Sequence, residues 1–181
     1  TGVQTCALPI YRLISAGANA SAANEYGVTG LFLACMNRSA SMVGRLLKAG
    51  ANPNAALSST GQTVLMTCAQ TGNADAVKAL LDRGAAVKVA ESRRGQTALM
   101  WAVEQNHLEA AKALLEHGAD PRARSKSGFT PLLFAARNGN VEFAKLLLQA
   151  GSDINESTQE DGSVLVVSTA SGYTDFSIYL L

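Results

Sequence analysis

Two glycine series in one phase constrain this chain more than any other feature. One runs Gly27, Gly61, Gly95, Gly128 and Gly162, the other Gly17, Gly50, Gly84, Gly118 and Gly151. Successive members of each series lie 33 or 34 residues apart. A fixed period of this length marks a repeat array, in which each unit buries its faces only against its neighbours. Segments GVTGLFLACM, GQTVLMTCAQ, GQTALMWAVE and GFTPLLFAAR open at the first series and align position by position, and GSVLVVSTAS follows at Gly162.

Each unit reads as two short helices and a loop. Thr29, Thr63, Thr97 and Thr130 stand where a side-chain oxygen can cap the first helix, and Pro131 takes the first helical position after Thr130. Gly72 and Gly139 end that helix, with Asn106 in the same place in one unit and Arg38 in another. Glycine enters the left-handed region freely and asparagine tolerates it, so Arg38 predicts a distorted turn. A second helix follows, with Leu108, Ala111, Leu114 and Leu115 on one stripe, and it ends at the second glycine series. The polar, turn-rich stretch after it, such as 119–127, predicts a loop folded back as a hairpin. In the fifth unit Val164 sits near the capping position and the interval to Gly172 is one residue short, which predicts an irregular first helix. The 31 alanines and 6% aromatic content suit closely packed helices better than a sheet sandwich.

Thr130-Pro131-Leu132 and Leu114-Leu115-Glu116-His117-Gly118-Ala119-Asp120, together with the period, resemble ankyrin repeats over residues 11–181. The resemblance implies an all-α solenoid of stacked helix–turn–helix units with projecting β-hairpin loops. The expected divisions are a partial unit at 11–26, full units at 27–60, 61–94, 95–127 and 128–161, and a shortened unit at 162–181. The family's histidine after T-P-L is replaced by Phe32, Met66, Met100 and Leu133, so any hydrogen bonding it provides is expected to be absent. Residues 1–10, TGVQTCALPI, match no unit and resemble a translated sequencing-adapter artefact, so they and Cys6 are set aside. Both ends are expected to be cut inside a unit, leaving Leu165, Phe176, Ile178 and Leu180 as an apolar rim.

Catalytic chemistry finds no footing. No G-x-x-x-x-G-K, G-x-S-x-G or H-E-x-x-H run occurs, and the glycines are periodic helix ends rather than a phosphate cradle. His107 and His117 fall at the start and end of one second helix with no further ligand at useful spacing, so both are read as structural. Cys35 and Cys68 occupy small-residue slots, and packing distances between helices, roughly 10 Å, place them too far apart for a disulfide. No catalytic residue, metal or cofactor is expected. With 15 basic and 14 acidic side chains, the balance gives no reason to expect nucleic acid, and no apolar run is long enough to span a membrane.

Binding is the expectation that remains: a non-catalytic scaffold, monomeric, meeting a protein partner along hairpin tips and the concave face of the first helices. The alternative is the regulatory or targeting array of a larger enzyme or secreted effector. Residue identity stops repeating at Tyr26, Arg93, Arg94 and Lys126 of the tips, and at Gln96 and Phe129 after the opening glycines. It also stops repeating at Trp101, Glu104, Gln105, Arg137 and Asn138 of the first helices. Arg93, Arg94, Arg122, Arg124 and Lys126 read either as solvated loop charges or as a basic ridge that steers an acidic partner, while Asp153, Glu156, Glu160 and Asp161 make the next loop acidic. Phe129 is either an exposed anchor or packed on the following hairpin. Trp101 is either a packed side chain or a hot spot.

Overall fold

The computed structural model describes residues 12–14 and 16–181; the readings placed on residues 1–10, Cys6 and Tyr11 lie outside the described residues. Five helix pairs follow one another: α1 (Gly30–Met36) with α2 (Ala40–Lys48), α3 (Val64–Thr71) with α4 (Ala74–Leu81), and α5 (Ala98–Glu104) with α6 (Leu108–Glu116). Then come α7 (Pro131–Asn138) with α8 (Val141–Gln149), a short ribbon of β1 (Ser157–Thr158) and β2 (Gly162–Ser163), and α9 (Val164–Ala170) with α10 (Thr174–Leu180). First helices stack in the row α1, α3, α5, α7, α9, and second helices α2, α4 and α6 form a parallel row behind them. Ahead of α1, Gly17 is left-handed and the Ala18 N–H reaches the Leu13 carbonyl, the pattern of a helix end.

Burial follows the repeat. Leu31, Leu65, Leu99 and Leu132 occupy one position of successive first helices and are fully enclosed, with Val43, Val77, Ala111 and Ala144 doing the same from the second helices. No single pair encloses these side chains; the neighbouring pair does. Phe32, Met66, Met100 and Leu133, at the family's histidine position, are buried as well. Two of them retain a polar role, contrary to expectation. The thioether sulfurs of Met66 and Met100 accept the N–H groups of Thr63 and Thr97 at 3.4 and 3.5 Å. Sulfur is a weak acceptor, yet it closes the cap that a lost imidazole would leave open.

Threonine caps form in three units: Thr63, Thr97 and Thr130 accept from the backbone of Met66, Met100 and Leu133. Thr29 does not; its hydroxyl is buried with no partner among the described residues. In the fifth unit Ser163 caps α9 by accepting from Val166, so that helix is regular, not irregular as its sequence predicts. Arg38 is a second correction. It adopts the left-handed conformation with φ of 53°, and the Ser39 N–H reaches the Ala34 carbonyl as the Asn73 N–H reaches that of Cys68. The stack holds the turn in shape, against a strain of about 1–2 kcal/mol for a side chain there.

Gly72 and Gly139 answer a second demand besides their positive φ. A Cβ at Gly72 would lie 2.4 Å from the His107 ring, and one at Gly139 would lie 2.2 Å from that of Tyr173. Each ring belongs to the next unit, so these two glycines are contact points of the stack. The expected apolar rim is also smaller than predicted: Phe176 is fully buried and Leu180 half-buried, while Leu165 and Ile178 are exposed.

The expectation for the cysteines is overturned. A disulfide joins Cys35 of α1 to Cys68 of α3, with Cα atoms 4.8 Å apart. The error lay in taking the distance between helix axes for the distance between residues. Cα atoms sit about 2.3 Å off the axis, so facing residues on helices about 8–10 Å apart approach to roughly 3.4–5.4 Å. Small neighbours such as Ala34 and Ala69 allow that approach.

Candidate protein-binding surface

The loops are stitched to one another through the main chain. The Ser58 N–H donates to the Tyr26 carbonyl, Ser92 to Thr60, and Lys126 to Arg94, at 2.7 to 3.0 Å. Within loops, single antiparallel bridges join Ala23 to Thr29, Ala56 to Thr63 and Ala90 to Thr97, and the last loop forms the β1–β2 ribbon. Loop 119–127 carries no bridge and is closed by the Ser125 N–H on the Phe129 carbonyl. Its unit is the one whose bounding opening glycines, Gly95 and Gly128, lie 33 rather than 34 residues apart.

Arg93 and Arg94 owe their placement to Glu91. Its buried carboxylate accepts the N–H groups of Arg93, Arg94 and Gln96 at 2.7, 2.7 and 3.0 Å. Burial works against the charge on Glu91, but the converging N–H groups of Gln96, Arg93, Arg94 and Gly95 outweigh it and hold the pKa below the ordinary carboxylate value. Both arginine side chains stay exposed. The Lys126 ammonium bonds to the Ser92 carbonyl, which draws it toward the arginine tip.

A polar chain crosses the first helices beneath these tips. Gln96 donates from Nε2 to Glu104 at 3.1 Å, and Arg137 donates to the other oxygen of Glu104 at 3.1 Å. The Arg137 guanidinium stacks 5.3 Å from the Phe129 ring and 4.9 Å from Phe134, two rings themselves 5.3 Å apart. Tips and chain together enclose an open groove of about 650 Å³, whose wall includes Arg93, Arg94, Gln96, Glu104, Lys126, Phe129 and Arg137. Ser125, Ser127, Phe134 and Asp161 complete it. Phe134 and Asp161 were legible in part. Phe134 shares the phase of Trp101 and lies one turn before Arg137, and Asp161 holds a tip position.

Other expected residues sit elsewhere or do other work. Tyr26 is 64% exposed on the first loop of the array, away from the groove. Trp101 is half-buried, its indole N–H enclosed without a partner among the described residues. Gln105 is exposed at the end of α5. Asn138 ties α7 to α5 by donating its amide to the carbonyls of Val103 and Glu104. Gln96 and Phe129 are buried rather than exposed, at 2% and 8%. Phe129 is therefore packed, with Phe134 of its own unit beside it.

The five-cation ridge divides. Arg122 donates to the Gly151 carbonyl, and Arg124 to those of Gly128 and Ser157, so both anchor the following loop. Arg93, Arg94 and Lys126 remain, joined by Arg137. On the acidic loop, Glu156 is buried and accepts from the Thr130 hydroxyl and the Asp153 N–H, which leaves Asp153, Glu160 and Asp161 exposed. His107 meets the Gln70 carbonyl at 3.1 Å and His117 that of Ala113 at 2.8 Å, contacts that serve packing and a helix end. Among the described residues no group of three or more His, Cys, Asp or Glu is placed to hold a metal, and no helix is long and apolar enough to cross a membrane.

The family profile for ankyrin repeats, in three copies, matches residues 8–91 and 88–158. This chain belongs to the ankyrin repeat family. Comparison with curated proteins returns no match. Ankyrin repeats are in general protein–protein interaction modules, and in this one the tips and first helices gather charge and aromatic surface in one concavity.

Proposed function

We propose that this ankyrin array is a non-catalytic scaffold that holds an acidic protein partner along its hairpin tips and first helices. The groove shared by the second, third and fourth full units is the centre of that contact. The supporting observation is convergence: seven residues singled out by broken periodicity stand around one opening, four of them cationic against the carboxylates of Glu104 and Asp161. Glu104 is already engaged by Arg137 and Gln96, so the charge left for a partner is positive. Such a surface acts by complementarity, steering an oppositely charged protein and fixing its register.

Site-specific photo-crosslinking tests this. A crosslinking side chain at Arg94 or Gln105 should give protein adducts that weaken in Arg93→Glu, whereas the same group at Lys78 or Lys145, exposed on second helices, should not. Equal adducts from both rows would overturn the proposal.

A further inference from the structure

The groove has one unmet requirement that its positive charge does not explain. Gln96 is 2% exposed, and its Oε1 has no hydrogen-bond partner among the described residues. Its orientation is settled by Glu104, because turning the amide over would set oxygen against carboxylate and lose the 3.1 Å bond from Nε2. A buried carbonyl without a donor is costly, and the cost is removed by anything that brings an N–H or O–H to it. Arg93, Arg94 and Lys126 line the same groove as Gln96, and they call for carboxylates.

The geometry points to an occupant that carries donors and negative charge in alternation: an extended acidic peptide segment of the partner. As it seats, the side chains that enclose Gln96 Oε1 part and a main-chain N–H bonds to that oxygen, while flanking Asp or Glu side chains meet Arg93, Arg94 and Lys126. A polyphosphate chain fits less well. It brings charge but no donor, and it would face the carboxylates of Glu104 and Asp161 in the same wall. Arg137 packs on the aromatic pair and bonds to Glu104, yet its side chain stays 44% exposed, so part of the guanidinium remains available to the peptide. This inference rests on the proposed role of the groove and adds the chemistry of what enters it.

The test begins with selection of a random octapeptide display library on the full chain, followed by fluorescence anisotropy with a selected peptide. Selected sequences should be enriched in Asp and Glu, and the Arg93→Glu/Arg94→Glu double variant should weaken binding at least tenfold. Methylating peptide amides one at a time should reveal one position that costs about tenfold with the unaltered chain and almost nothing with Gln96→Met. Sequences without acidic excess, or an N-methyl penalty that persists in Gln96→Met, would overturn the inference. So would an oligothymidylate of equal charge binding as tightly. The arginine reversals lie on exposed side chains and decide the acidic half however Gln96→Met folds. If no peptide is selected while Arg94 still crosslinks a protein, this inference fails and the scaffold reading stands; loss of the crosslink removes both.

Discussion

Replacing Gly72 with alanine adds one methyl group where two constraints coincide. The residue has φ of 74°, and its new Cβ would stand 2.4 to 2.6 Å from three atoms of the His107 ring. The left-handed conformation costs a side chain about 1–2 kcal/mol, partly offset by the stiffer unfolded chain. The ring must also swing away and give up its 3.1 Å contact with the Gln70 carbonyl, worth about 0.5–1.5 kcal/mol. Gly118 is the matched control, with φ of 84° and open space where its Cβ would go. Gly72→Ala should therefore destabilise the chain by about 1 kcal/mol more than Gly118→Ala. Urea unfolding followed by circular dichroism measures both. In a His107→Ala background the penalty at Gly72 should drop to the Gly118 value, because the obstructing ring is gone. Equal penalties at the two glycines, or a Gly72 penalty unaltered by His107→Ala, would refute the idea that this turn is a contact point between units.

Three further outcomes follow from the local chemistry. Cross-linking at a sequence separation of 33 removes loop entropy worth about 3–4 kcal/mol, so reduction or the Cys35→Ala/Cys68→Ala double variant should lower the urea midpoint, and an unchanged midpoint would mean unpaired thiols. The depressed pKa of Glu91 makes its contribution present above the ordinary value of 4.5 and lost as pH falls through the lower folded value, because the unfolded chain takes up the proton first. Midpoints measured from pH 7 down to 3 should fall more steeply for the unaltered chain than for Glu91→Gln. Thr130→Ala should cost about 1 kcal/mol or more as a lost cap, whereas Thr29→Ala, which removes a buried hydroxyl without a partner, should be neutral or stabilising in thermal unfolding.

The stack was legible because its constraints are periodic. Gly72, Gly139, Thr63 and Thr130 each answer a backbone requirement that returns every unit, and such requirements leave the same residue type behind. What was not legible is what happens once. Arg122 and Arg124 look like Arg93 and Arg94 in sequence, yet the side chains of the first pair reach the carbonyls of Gly151 and Ser157, while no such bond holds the second pair among the described residues. Only the position of Gly151 and Ser157 in space decides that. Phe129 follows an opening glycine like Val28 and Gln62, but it is packed beside Phe134 and Arg137 of the following turns. The disulfide was missed for a different reason, a geometric one: residue separation was judged from helix axes.

The stitching of tip to tip by Ser58, Ser92 and Lys126 rests on peptide groups, which the Ser92 hydroxyl and the Lys126 ammonium reinforce. The main-chain bonds ask for no particular side chain, so much of the alphabet there is free to be rewritten while the spine keeps its pitch. Such a chain can acquire a new correspondent by exchanging a few letters at its fingertips, and it can do so without first learning to fold again.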